Sequence, residues 1–102
     1  MQLPTIMFDE IDTGVSGEIS NKMAGIMQDM SKHLQVFTIT HLPQIAAKGD
    51  THFKVFKEDS NEQTITKLSK LNWDDRIVEI AQMLGGSKLS SSAIEHAKQL
   101  LN

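Results

Sequence analysis

The chain has 102 residues, 39% apolar and 23% charged, enough for one small globular domain or a piece of a larger one and too apolar for wholesale disorder. Its net charge is -3 and its lysines and arginines are isolated, so it lacks the basic footprint that a nucleic-acid backbone requires, and any DNA contact has to come from elsewhere. The absence of cysteine excludes disulfides and thiolate metal sites and fits a cytoplasmic protein, while no apolar run approaches the roughly 20 residues that span a bilayer and no signal-peptide pattern opens the chain.

The first informative segment is Thr5 to Glu18, TIMFDEIDTGVSGE. Ile6, Met7 and Phe8 form a short apolar run, and Pro4 suits its start because proline donates no ladder hydrogen bond. Such a run, bounded by turn formers, predicts a strand buried on both faces, as in parallel sheets. It ends in Asp9 and Glu10, with Asp12 standing before a glycine-containing turn at Thr13 to Gly17. Acids at the carboxyl end of a strand stand where open α/β sheets bind ligands; the plainer alternative is solvated loop acids with a capping duty. The informative segment begins with so little lead-in that the chain reads as part of a longer protein.

Ile19, Met23, Ile26, Met27 and Met30 then recur at helical spacing, which predicts a helix from about Ser16 to Ser31 with these residues as its buried stripe. The methionines read as adaptable packing rather than ligands. Gln35 to Thr40, QVFTIT, is β-branched and aromatic and predicts a second strand ending at Thr40-His41 before Pro43. Strand, helix and strand at this spacing make a βαβ unit with parallel strands and a right-handed crossover. Asp9, Glu10 and Asp12 then emerge at the same sheet edge as Thr40 and His41. That company makes His41 a candidate site residue, whereas His33, His52 and His96 read as exposed or half-packed.

Leu42 to Ala47 predicts a short helix stopped by Lys48-Gly49-Asp50. His52 to Lys57 and Thr64 to Leu68 predict an antiparallel hairpin with a polar loop from Glu58 to Glu62. Val55 and Phe56 adjoin, so the alternation is imperfect and predicts burial of both faces or a bulge. Asn72 caps a helix whose first turn carries Asp74 and Asp75, whose apolar positions are Ile77, Ile80, Ala81 and Leu84, and which Gly85-Gly86 stops. A last helix opens with Ser92 and Glu95 in capping-box spacing and buries Ala93, Ile94, Ala97, Leu100 and Leu101.

An apolar strand ending in Asp-Glu has the Walker B pattern of phosphoryl-transfer enzymes. The first carboxylate can hold magnesium, usually through water, and its neighbour can orient or deprotonate an attacking water. With FDEIDTGVSGE, ITHLPQIAAKGD and RIVEIAQMLGG in that order, the chain resembles, over essentially its whole length, the C-terminal end of the RecN-type DNA repair ATPases, SMC-like members of the ABC ATPase superfamily.

The resemblance implies an α/β fold: the C-terminal half of an ABC/SMC-type P-loop ATPase head, with βαβ parallel strands, a hairpin and two C-terminal helices. Residues 1–102 would form part of one head, with no separate second domain. Asp9 would be the magnesium-associated carboxylate, Glu10 the catalytic glutamate and His41 the switch histidine. Ile11 to Gly17 would be the D-loop, with Asp12, Thr13, Gly14 and Ser16 near nucleotide and partner head. Ser16 stands where many such loops carry aspartate, so that aspartate's cross-dimer role does not transfer.

ATP and Mg2+ are the implied cofactors, both requiring the upstream half of the head. No G-x-x-x-x-G-K-[ST] loop occurs in the sequence, so the Walker A, Q-loop and signature motifs would lie upstream, and this chain alone is expected to be inactive. The implied partners are that upstream half, a second head in a homodimer, and DNA through the full-length protein, with no membrane; the implied location is the bacterial cytoplasm, at the nucleoid. The implied process is recombination and double-strand break repair. From the residues alone, a self-contained interaction module and a stand-alone magnesium-dependent phosphohydrolase using Asp9, Glu10 and Asp12 remain alternatives. Unpaired strand edges and bare helix faces predict self-association of the isolated chain.

Overall fold

A computed structural model describes residues 4–9, 14, 16–85 and 89–102. Strand β1 (Thr5–Asp9) pairs in parallel with β2 (Gln35–Ile39), Thr5 opposite Gln35 and Asp9 opposite Ile39. Helix α1 (Gly17–Met30) connects them, so the predicted βαβ unit is present. Ser16 caps α1, its side chain accepting from the Ile19 N–H at 3.3 Å.

Two features of this unit differ from the sequence reading. The face of α1 turned inward carries Ser20, Ala24 and Met27, while Ile19 and Ile26 are exposed. The cause is size: Ala24 and Ser20 let the α1 backbone approach α2 closely, where Ile45 packs on Ala24 and Met27, with Ser20 satisfying its hydroxyl on the Ser16 carbonyl at 2.8 Å. The second difference is that β1 is covered on one face only. Phe8 and Val36 pack against Ala24, Met27 and Ile45, whereas Met7, 64% exposed, shares an open face with Phe37 and Ile39.

Helix α2 (Pro43–Ala46) is a single turn. It joins two cores: Ile45 packs with Ala24 and Met27, and Ala47, just past its end, packs with Ile77, Ile80, Ala81, Ala93 and Ala97. The second core belongs to α3 (Trp73–Gly85) and α4 (Ser91–Leu101). Asn72 caps α3 as expected, its Oδ1 accepting from the Asp75 N–H at 2.8 Å. For α4 the cap is Ser90, which accepts from the Ala93 N–H at 3.1 Å, and not Ser92. In a run of three serines the first one that places a hydroxyl two to three residues ahead of free amides takes the role.

Strands β3 (Phe53–Ser60) and β4 (Gln63–Lys70) form the antiparallel hairpin. Its register is continuous from Phe53–Lys70 to Ser60–Gln63, without the bulge that the sequence left open. The predicted loop at Glu58 to Glu62 is mostly strand, because the turn is only Asn61-Glu62, both at positive φ (46° and 68°). That is the two-residue turn whose twist matches a hairpin. Neither face is buried: Val55, Leu68 and Ile65 are all exposed. A 2.7 Å ion pair between Lys54 and Glu79 ties β3 to α3. No described helix is long and apolar enough to cross a membrane.

Candidate functional site at the strand ends

Because β1 and β2 are parallel and Asp9 lies opposite Ile39, Asp9 ends β1 where Thr40-His41 leaves β2. The predicted sharing of one sheet edge therefore holds for Asp9, Thr40 and His41. Asp9 and His41 are exposed and Thr40 is half-buried. Glu10, Asp12 and Thr13 lie outside the described residues. Gly14 sits at φ 79°, a left-handed conformation that a side chain would strain. Ser16 spends its hydroxyl on capping α1.

The turn after β2 is fixed from within. Thr40 Oγ1 accepts from the Leu42 N–H at 3.0 Å, and the Leu42 carbonyl accepts from Ile45 and Ala46 as α2 begins. Pro43 at the first helical position adds a preset φ. His41 is thus held between a strand end and a helix start, with its imidazole facing solvent rather than core.

Among the described residues, no group of three or more His, Asp or Glu side chains converges on a metal position. A lone exposed carboxylate such as Asp9 fits a magnesium ion held largely through water and by nucleotide oxygens, the usual habit of that ion. A recess of about 260 Å³ is lined by Gln28, Lys48, Asp50, Arg76 and Leu101 among others, with none of the strand-end residues.

Two residues outside the predicted site carry more than their sequence positions suggested. Arg76 is buried in α3, and its Nη2 donates to the carbonyls of Gly49 (2.8 Å), Ala46 (3.2 Å) and Ala47 (3.4 Å). Burial pulls its pKa below the ordinary value, with Asp50 opposing; a guanidinium stays charged regardless. The signal was available: Arg76 stands four residues before Ile80, on the buried stripe. His52 is half-buried with Nδ1 lacking a hydrogen-bond partner among the described residues. Burial first, then the Arg76 charge, lowers its pKa, Glu79 acting against them.

The shape of the described residues aligns with a solved structure from work on ATP-driven dimerization and DNA-stimulated activation of SMC ATPases: TM-score 0.65, 18% identity, covering 83% of this chain and 50% of that one. The fold is therefore that of part of an SMC ATPase. No family model matches the chain. Among curated proteins it is 42% identical over 100 residues to the DNA repair protein RecN of Treponema pallidum, 40% over 97 residues to that of Bacillus subtilis, and 38% over 99 residues to that of Rickettsia typhi. These matches take in 95 to 98% of the chain but only 17 to 18% of each relative. The chain is RecN-like throughout and corresponds to a C-terminal part of those proteins.

Proposed function

We propose that residues 1–102 are the C-terminal part of one ATPase head of a RecN-like protein that couples ATP binding and hydrolysis to DNA recombination and double-strand break repair. The observation that carries this reading is the placement of Asp9 and His41 at one edge of a parallel strand pair, within a chain that is RecN-like from end to end.

In this reading Asp9 would hold magnesium, usually through water, and Glu10 would orient or deprotonate the hydrolytic water. His41 contacts the terminal phosphate and senses its loss. Gly14 and Ser16, with Asp12 and Thr13, form the loop that faces nucleotide and a second head. When bound, Mg2+ supplies charge neutralisation between the phosphates. The open face of Met7, Phe37 and Ile39 is where the upstream half of the same head would cover the sheet, since parallel sheets are covered on both faces. DNA is held by the complete protein in the bacterial cytoplasm, at the nucleoid, and not by this acidic segment.

The test is Glu10→Gln in the complete protein. It is expected to trap a nucleotide-bound, head-dimerised state, read as loss of phosphate release together with a dimer shift on ATP addition. Hydrolysis at the unchanged rate would remove Glu10 from its role. The isolated chain should show no turnover, since it carries no phosphate-binding loop.

A further inference from the structure

α2 is one helical turn, too short to be stable by its own hydrogen bonds, yet it directly follows His41 and bridges the two cores of the chain. The carbonyls at and just beyond its C-terminal end need partners besides backbone ones such as the long 3.4 Å bond that Ala46 accepts from the Gly49 N–H. Arg76 supplies them: a single Nη2 reaches the oxygens of Ala46, Ala47 and Gly49 at 3.2, 3.4 and 2.8 Å. Arg76 as a whole residue is 8% exposed, and its Nε is buried without a partner among the described residues.

Such an arrangement is a poor use of a core position for stability alone. A buried charge with one donor unsatisfied is commonly no better than a packed apolar side chain, and is often worse. What the charge accomplishes is placement. Two N–H groups shared among three carbonyls set where the end of α2 sits against α3, and an apolar residue could not do so. At its other end α2 grows out of the Thr40–Leu42 turn, closed by the 3.0 Å bond from the Leu42 N–H to Thr40 Oγ1. With β2 fixing one side of His41 and the anchored α2 the other, the histidine's backbone has both flanks held.

From this geometry we infer that Arg76 is a positioning residue for His41: it clamps α2 to α3, and thereby keeps the histidine at the sheet edge beside Asp9. It touches neither nucleotide nor the reacting atoms. The inference rests on the role proposed above for His41, and it extends that site to the first residue of the RIVEIAQMLGG block on α3, to which the resemblance assigns no role. The α3–α4 pair is then the support that holds the turn.

The experiment uses the complete protein carrying this segment, with Arg76→Lys and Arg76→Gln. Lysine keeps the charge but not the planar fork, and thermal melts check that each variant remains folded. Hydrogen exchange is expected to quicken about tenfold across residues 40–49 while α1 and α4 stay protected. The kcat for ATP should fall about tenfold with KM unchanged, the signature of a misplaced group rather than lost ground-state binding. In a His41→Ala background the same substitutions should cost no further activity, because residues acting as one unit are not additive.

An equal loss of kcat in both backgrounds, or unchanged exchange over residues 40–49, overturns the inference. If the unsubstituted complete protein fails to hydrolyse ATP, the ATPase reading falls by itself. The exchange arm then still decides whether Arg76 holds the His41 turn.

Discussion

The rotation of α1 is the point at which sequence periodicity and structure disagree most sharply, and a pair of truncations decides between them. Met27 is 8% exposed and packs among Ala24, Ile45, Phe8 and Val36; its neighbour Ile26 is 61% exposed. Met27→Ala removes three buried heavy atoms at about 0.8 kcal/mol each and leaves a partial cavity, so it should cost about 3 kcal/mol. Ile26→Ala removes as many atoms, mostly from water contact, and gains a few tenths of a kcal/mol in helix propensity, so its cost should stay below about 0.5 kcal/mol. In a chain of this size the first corresponds to a fall in Tm of about 10 to 20 °C and the second to almost none. Thermal and urea unfolding of the chain, followed by far-UV circular dichroism, reads both. Equal costs, or a larger cost at Ile26, would mean that α1 presents the face of the methionine-isoleucine stripe to the sheet, and the described packing would be wrong.

Two further outcomes follow from the hairpin and from His52. Glu62 sits at φ 68° in the second position of the Asn61-Glu62 turn, where glycine is preferred, so Glu62→Gly should raise stability by about 1 kcal/mol; a loss of stability would rule out that turn geometry. His52 has its pKa lowered by burial and by the Arg76 charge, so the unfolded chain takes up its proton first. Its contribution is therefore complete above the unfolded value of about 6.5 and is lost as pH falls from there through the lowered folded value. Urea midpoints measured from about pH 7.5 to about pH 5 should decline over that window, and His52→Gln should flatten the decline; an identical slope in the variant would show that His52 is not responsible.

Much of the organisation was legible because it rests on local chemistry. The parallel pair of β1 and β2 follows from two apolar segments separated by one helix-length stretch, and that pairing puts Asp9 at the same sheet edge as His41. Asn72 declared the start of α3 through its own side chain. The misreadings have a common cause, which is that periodicity registers hydrophobicity but not how closely a backbone can approach. Small residues such as Ser20 and Ala24 occupy the inner face of α1, and a stripe drawn through Ile19 and Ile26 misses them. The hairpin turn was placed too widely because Glu62 is not a residue that advertises positive φ. The burial of Arg76 is legible from its place on the stripe of Ile80, but its clamp is not: the partners are backbone carbonyls some 27 to 30 residues away, and no side chain in the sequence marks them.

The strand pair that holds the candidate site is covered by α1 on one face and open on the other, and the hairpin is tied to α3 by the Lys54–Glu79 pair. Apolar surface is thus left bare on the open face of that pair, at Met7, Phe37 and Ile39, and again on the hairpin at Val55 and Leu68. Relatives about five times longer than this chain have the residues to cover such surface. The part of the site described here does not depend on that cover for its local geometry. Asp9 is placed by strand pairing, Ser16 by a helix cap, and the His41 turn by Thr40 on one side and α2 on the other. In the proposed reading, a half-site whose geometry is set by its own backbone would be completed by docking, because docking would then have to bring phosphate-binding groups to a carboxylate and an imidazole already in place, rather than organise both at once.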